Sequence, residues 1–157
     1  MTNPLARGTA TTFPLKSNIT SLAALAAKPL GLVDNGATPI FDVDINPIKI
    51  KTNTGQAAGD TCTLYLIHSE DNLDWTDGID PAATVDVAAS LIVAMPVQTI
   101  KTEAAATIYY FDGFSLFSVL GKAPRYWTLV LLNNAAAGSL SATAADHAAQ
   151  YVPITFV

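Results

Sequence analysis

The stretch YWTLVLL, residues 126–132, carries large groups on both of its faces, with Trp127, Leu129 and Leu131 alternating against Tyr126, Val130 and Leu132. Successive side chains of a strand point to opposite sides, so a run that is apolar on both reads as a central strand covered on each face. It is core, not a cofactor site. TCTLYLIHS (61–69), PVQTIKT (96–102), TIYYF (107–111) and YVPITFV (151–157) read as further strands, rich in β-branched and aromatic residues and separated by Gly, Pro, Asn and Asp. The expected class is all-β, a β-sandwich of jelly-roll type with a long N-terminal arm.

PIFDVDINPIKIKTN (39–53) places Phe41, Val43 and Ile45 on one face and Asp42, Asp44 and Asn46 on the other, but Ile48 and Ile50 are out of phase by one residue. A bulge or sheet-switching bend at Asn46-Pro47 keeps both apolar sets facing the core. Two short helices are expected: SLAALAA (21–27), with Ser21 as N-cap and Pro29 closing it, and GFSLFSVLG (113–121). The Ala-rich stretches 82–94 and 135–149 read as loops. Residues 1–38, with prolines at 4, 14 and 29 and little alternation, read as an N-terminal extension, and 39–157 as the sandwich domain. Such a leader either covers an edge of its own sandwich or reaches a neighbouring subunit, and it is not expected to be needed to complete the core.

Composition narrows the function classes. Half of the 157 residues are hydrophobic and 13% are charged, sparse for a free monomer, so part of the surface is expected to be covered by a partner. The net charge is -5 and the eight Lys and Arg form no run, which argues against direct nucleic-acid binding. The N-terminal stretch lacks the pattern of a signal peptide and no apolar run reaches the length of a membrane span, so synthesis in a cytoplasm and no membrane partner are expected. The single cysteine, Cys62, alternates with Leu64 and Leu66 and reads as a buried core residue.

The acidic stretch LYLIHSEDNLDWTDGIDP (64–81) crowds Glu70, Asp71, Asp74, Asp77 and Asp80 around Trp75. Its spacing is not that of an EF-hand, and acids on one hairpin loop do not supply the fixed carboxylate pair of a glycosidase. His68-Ser69-Glu70 and Asp146-His147 hold the residue types of a nucleophilic site without a nucleophile elbow. The expected role is a strand-connecting loop whose Asp and Asn side chains make local turns, with Trp75 pinning it to the sandwich. Trp75 stacking on a sugar ring is the alternative reading. No catalytic residue, cofactor or metal is expected. Trp75, Asp74, Asp77 and Arg125 are the candidate interaction or loop-anchoring residues.

TLYLIHSEDNLDWTDG, followed later by KAPRYWTLVLLNNAAAGSLSATAADHAAQYVPITFV, resembles a pattern of small virion proteins of tailed bacteriophages, most of all capsid decoration, or cement, proteins. The resemblance covers roughly residues 39–157. It departs at Thr128 and Leu129, where that pattern usually keeps a basic residue after the tryptophan. It implies a non-enzymatic β-sandwich, commonly trimeric, that binds the major capsid protein on the outer surface of the head and clamps adjacent capsomers. A carbohydrate-binding jelly-roll module is the alternative.

Overall fold

A computed structural model of the chain describes residues 4–14, 16–36, 40–75, 81, 87–88 and 95–156. The organising strand is Tyr126–Asn133, labelled β12, numbering strands in chain order. On one side it pairs over its full length with β7 (Thr61–Ser69), Trp127 opposite His68 and Leu131 opposite Leu64. On the other it pairs with β3 (Ala26–Pro29) and β4 (Val33–Asp34), while β9 (Met95–Lys101) lies beyond β7 and the two-residue β8 (Val87–Ala88) beyond β3. The second sheet is built around β13 (Gln150–Phe156), which has β1 (Leu5–Arg7) and β2 (Thr11–Thr12) on one side and β5 (Ile40–Ile45) on the other. Next come β11 (Phe114–Ser115) beside β5, and β10 (Ile108–Phe111) beside β6 (Ile48–Lys51).

Among the described residues, with the two-residue β8 left as an edge piece beyond β3, collinear pieces merge into eight ribbons: β1/β2, β3/β4, β5/β6, β7, β9, β10/β11, β12 and β13. Numbered one to eight along the chain, they lie in the orders 1-8-3-6 and 2-7-4-5. Every pairing is antiparallel, and these are the two interlocked sheets of a jelly roll.

The expectation for YWTLVLL holds for all of its large residues but Tyr126, which is half-buried and lies outside both clusters. Trp127, Leu129 and Leu131 enter the core between the sheets, and Val130 and Leu132 join Ala27 and Ile67 in a smaller buried cluster on the other face. Trp127 packs edge-on against Phe13 and Tyr151, with centroids 5.5 and 5.4 Å away, and its indole N–H donates to Asn35 Oδ1 at 3.2 Å. Each such aromatic pair adds roughly 0.5–1.5 kcal/mol beyond area burial. Cys62 is buried in the same core, and desolvation pushes its thiol up to about 12.

The break at Asn46-Pro47 is also as expected: β5 ends and β6 begins around it, and Val43, Ile45, Ile48 and Ile50 all reach the core. One residue of that stretch departs. The register between β5 and β13 shifts so that Ile154 faces Asp42 while Thr155 faces Ile40. The extra residue, Phe41, leaves the core face to Ile40 and packs outside.

Two further expectations are corrected. SLAALAA is not a helix: Ser21 (φ 56) and Leu25 (φ 57) are left-handed, and the chain turns directly into β3. Leu22 is thereby fully buried and Leu25 exposed, so burial of alternate groups outweighs alanine's helix propensity. Nor do residues 4–36 stand apart as an arm. They supply β1 to β4 and the core side chains Phe13, Ile19, Leu22, Leu30 and Val33. Of the two roles open to the leader, packing on its own sandwich is realised, and it completes the core. Within 113–121 the helix is Leu116–Leu120, here α1, capped by Ser115 Oγ accepting from Ser118 N and closed by left-handed Gly121.

Candidate functional site

Ser69, at the end of β7, begins the acidic turn. Its hydroxyl accepts from the amides of Asp71 and Asn72 at 3.3 and 3.0 Å and donates to Asp71 Oδ1 at 3.0 Å. That same Asp71 oxygen accepts from the amides of Leu73 and Asp74 at 2.9 and 3.1 Å, and Asn72 takes a left-handed φ of 65. The backbone donors, those of Leu73 and Asp74 first, hold the Asp71 carboxyl below its usual value. Its charge is spent on shaping the chain. Glu70 pairs with Lys122, Asp74 is exposed, and Asp77 and Asp80 lie outside the described residues. No group of three or more His, Cys, Asp or Glu among the described residues is placed to hold a metal ion.

Trp75 is half-buried against the outer cluster of Ala27, Ile67, Val130 and Leu132, beside Tyr65. This contact ties the acidic turn to the outer face of the β12 sheet. Arg125 has Nε 3.6 Å from Asp34 Oδ1 and its guanidinium 4.7 Å from the Tyr126 ring centre. Its neighbour Tyr126 is the cross-strand partner of Ser69, so Arg125 lies at the same end of the sheet as the acidic turn, with its charge matched by Asp34. The pair Asp146-His147 lies in the loop before β13 and not near His68-Ser69-Glu70, so the two sets do not assemble.

A cluster of exposed apolar groups lies on the outer face of the other sheet. Asp42 is buried there, and its carboxylate accepts from Ser115 Oγ at 2.6 Å and from the Phe117 amide at 2.8 Å. These bonds seat α1 beside β5 and bring Phe117 over the displaced Phe41, stacked with centroids 5.4 Å apart. Phe41 also meets Phe156 edge-on at 5.3 Å, and Leu5 is the cross-strand partner of Phe156. Leu5 and Phe156 are each 50% exposed and Phe117 is 44% exposed. Next to this cluster, Arg7 and Asp44 form an ion pair at 3.5 Å across a shallow cleft of about 330 Å3 bordered by Asn46, Pro47 and Phe114.

Sequence reading missed this face because Phe41 is in phase with Val43 and Ile45, and only the register shift turns it outward. The one available signal was the length of the apolar C-terminal run: Ile154 and Phe156 lie on the strand face opposite Pro153 and Thr155.

Fold and surface together define a jelly-roll protein with an uncovered aromatic face. No family model matches the chain, and no curated protein does. Among solved structures it is similar to the infectious bursal disease virus VP2 subviral particle, at 15% identity with a TM-score of 0.26, over 99% of this chain and 42% of that one. It is likewise similar to the structure of the infectious bursal disease virus Gx strain, at 15% identity and a TM-score of 0.25, over 96% of this chain and 41% of the other. The chain spans about two fifths of each of these chains.

Proposed function

We propose that the protein is a virion structural protein, a capsid decoration protein that binds the outer surface of a phage head as a homo-oligomer, a trimer, and stabilises contacts between capsomers. The observation that carries this reading is the outer aromatic face of Leu5, Phe41, Phe117 and Phe156, three of whose members are about half exposed. Clusters of large apolar groups left in water mark protein contact sites, and aromatic anchors carry most of the energy where they are buried at an interface. Jelly rolls serve both capsids and lectins, so the chemistry of the face has to discriminate between them. A sugar platform needs an aromatic ring face free and polar groups at its rim. Here Phe41 and Phe117 stack one face of each ring on the other, and phenylalanine carries no polar handle. This favours a protein partner, the major capsid protein, over a glycan.

The test begins with purified particles, in which the chain should be present in fixed ratio to the shell subunit and open to labelling from outside. Sedimentation of the isolated protein should give a trimer. The double variant Phe117→Ser with Phe156→Ser should keep its circular dichroism and bind stripped particles roughly tenfold more weakly or worse. Absence from particles, together with glycan binding that the same variant loses, would replace this reading with the carbohydrate-binding module.

A further inference from the structure

The loop before β13 closes on β6 through a side chain. Upstream of β13 the ladder continues to Ala148, whose amide and carbonyl exchange bonds with Lys49 at 3.0 and 2.9 Å. The chain then runs out and returns at Ser141, whose amide donates to the Lys51 carbonyl at 2.8 Å. Between these two points no backbone carbonyl meets the Lys51 amide. The imidazole of His147, 2% exposed, fills the gap: Nδ1 accepts from Lys51 N at 3.4 Å, and Nε2 donates to the Ser141 carbonyl at 2.8 Å. Because Nδ1 acts as acceptor, the ring is neutral with its proton on Nε2.

We propose that His147 is a proton-sensitive latch that fastens the 141–149 segment to β6 when neutral and releases it on protonation. A proton on Nδ1 turns the acceptor facing the Lys51 amide into a second donor, so the bridge is lost rather than weakened. The surrounding charges oppose the cation. Lys16 Nζ lies 3.4 Å from the His147 carbonyl, and Lys49 Nζ donates to the Ala145 carbonyl at 2.9 Å. Lys51 Nζ sits 3.1 Å from Asp146 Oδ2, and that carboxylate oxygen, the one acid beside the ring, also accepts from Ser141 Oγ at 2.6 Å. Asp146 is thus committed to Lys51 and Ser141, while three lysines from β6 and the Lys16–Ile19 turn converge on the loop.

Burial lowers the His147 pKa below 6.5, with Lys16 and Lys49 adding to the depression against the opposing pull of the Ser141 bond and Asp146. The open segment therefore binds a proton more readily than the closed one. The latch is at full strength above about pH 6.5 and is lost as pH falls through the lowered folded value.

Amide exchange read residue by residue between pH 7.5 and 5, corrected for intrinsic rates, tests this. Protection at Lys51, Ser141 and Ala148 should fall by up to tenfold per pH unit below about 6.5, while Leu66 and Leu129 in the central sheet hold theirs. His147→Gln, whose amide can accept and donate at the same two places without titrating, should flatten the dependence, and His68→Gln should not. If His147→Gln does not fold, direct titration of the His147 ring in the parent protein decides instead, and a ring that titrates at or above 6.5 overturns the latch. Protection that stays flat in the parent, or a pH dependence that survives in His147→Gln, overturns it equally.

Discussion

Asn133 decides how the end of the core is closed. It is fully buried; its amide nitrogen donates to the carbonyls of Leu22 and Ala23, both at 3.1 Å, and its oxygen accepts from Gln56 Nε2 at 3.4 Å. Gln56 in turn accepts from Thr102 Oγ1 at 3.0 Å. Three loops are thus joined through the two buried amides of Asn133 and Gln56, which low local dielectric makes costly to remove. Asn133→Ala leaves the Gln56 amide nitrogen without its acceptor and takes one of two donors from each carbonyl, Leu22 keeping the Leu140 amide and Ala23 the Ala26 amide, and should lower the unfolding free energy by about 1–3 kcal/mol in urea titration. Gln56→Leu with Thr102→Val removes a donor and an acceptor together and should cost less than the sum of the two single changes.

The loop connections are set by close backbone approach at the scale of elements. Gly138 has φ +94, and a Cβ there would meet Gly55 C and Thr54 O at 2.7 Å. Gly121, at the end of α1, has φ +72 but nothing within 4 Å of the same atom. Both positions carry the strain of a left-handed alanine, roughly 1–2 kcal/mol, and only Gly138 adds a backbone clash. Gly138→Ala should therefore lower the thermal midpoint clearly more than Gly121→Ala, as measured by calorimetry. Equal losses would mean that the two loops part without cost.

The leader belongs to the whole molecule. Phe13, Ile19, Leu22 and Leu30 are each no more than 2% exposed, and β3 flanks the central strand. Losing one large core side chain costs roughly 2–5 kcal/mol, against a total stability of about 5–15 kcal/mol for a domain. Deleting residues 1–38 removes these four, Val33 and the strands β1 to β4, so the truncated chain should show no cooperative thermal transition by circular dichroism. A folded truncation that merely binds particles weakly would restore the leader as an arm.

Period-two alternation determined by itself that the protein is all-β, which strand is central, where β5 breaks into β6, and that Cys62 is core, because each of these depends only on which face a side chain occupies along one strand. The acidic turn was legible too, since the side chains of Ser69 and Asp71 accept from amides within three residues of themselves. Tertiary structure alone decided the rest. The leader's place depends on pairing between Leu5 and Phe156, at opposite ends of the chain, and local pattern carries no information about such contacts. The same holds for the outward turn of Phe41, which follows from a register shift against β13, and for His147, whose ring is a ladder partner only because β6 lies beside it. A short alanine-rich stretch such as 21–27 has too little propensity of its own to resist the sheet it abuts, so its conformation was set by burial of Leu22 and not by its sequence.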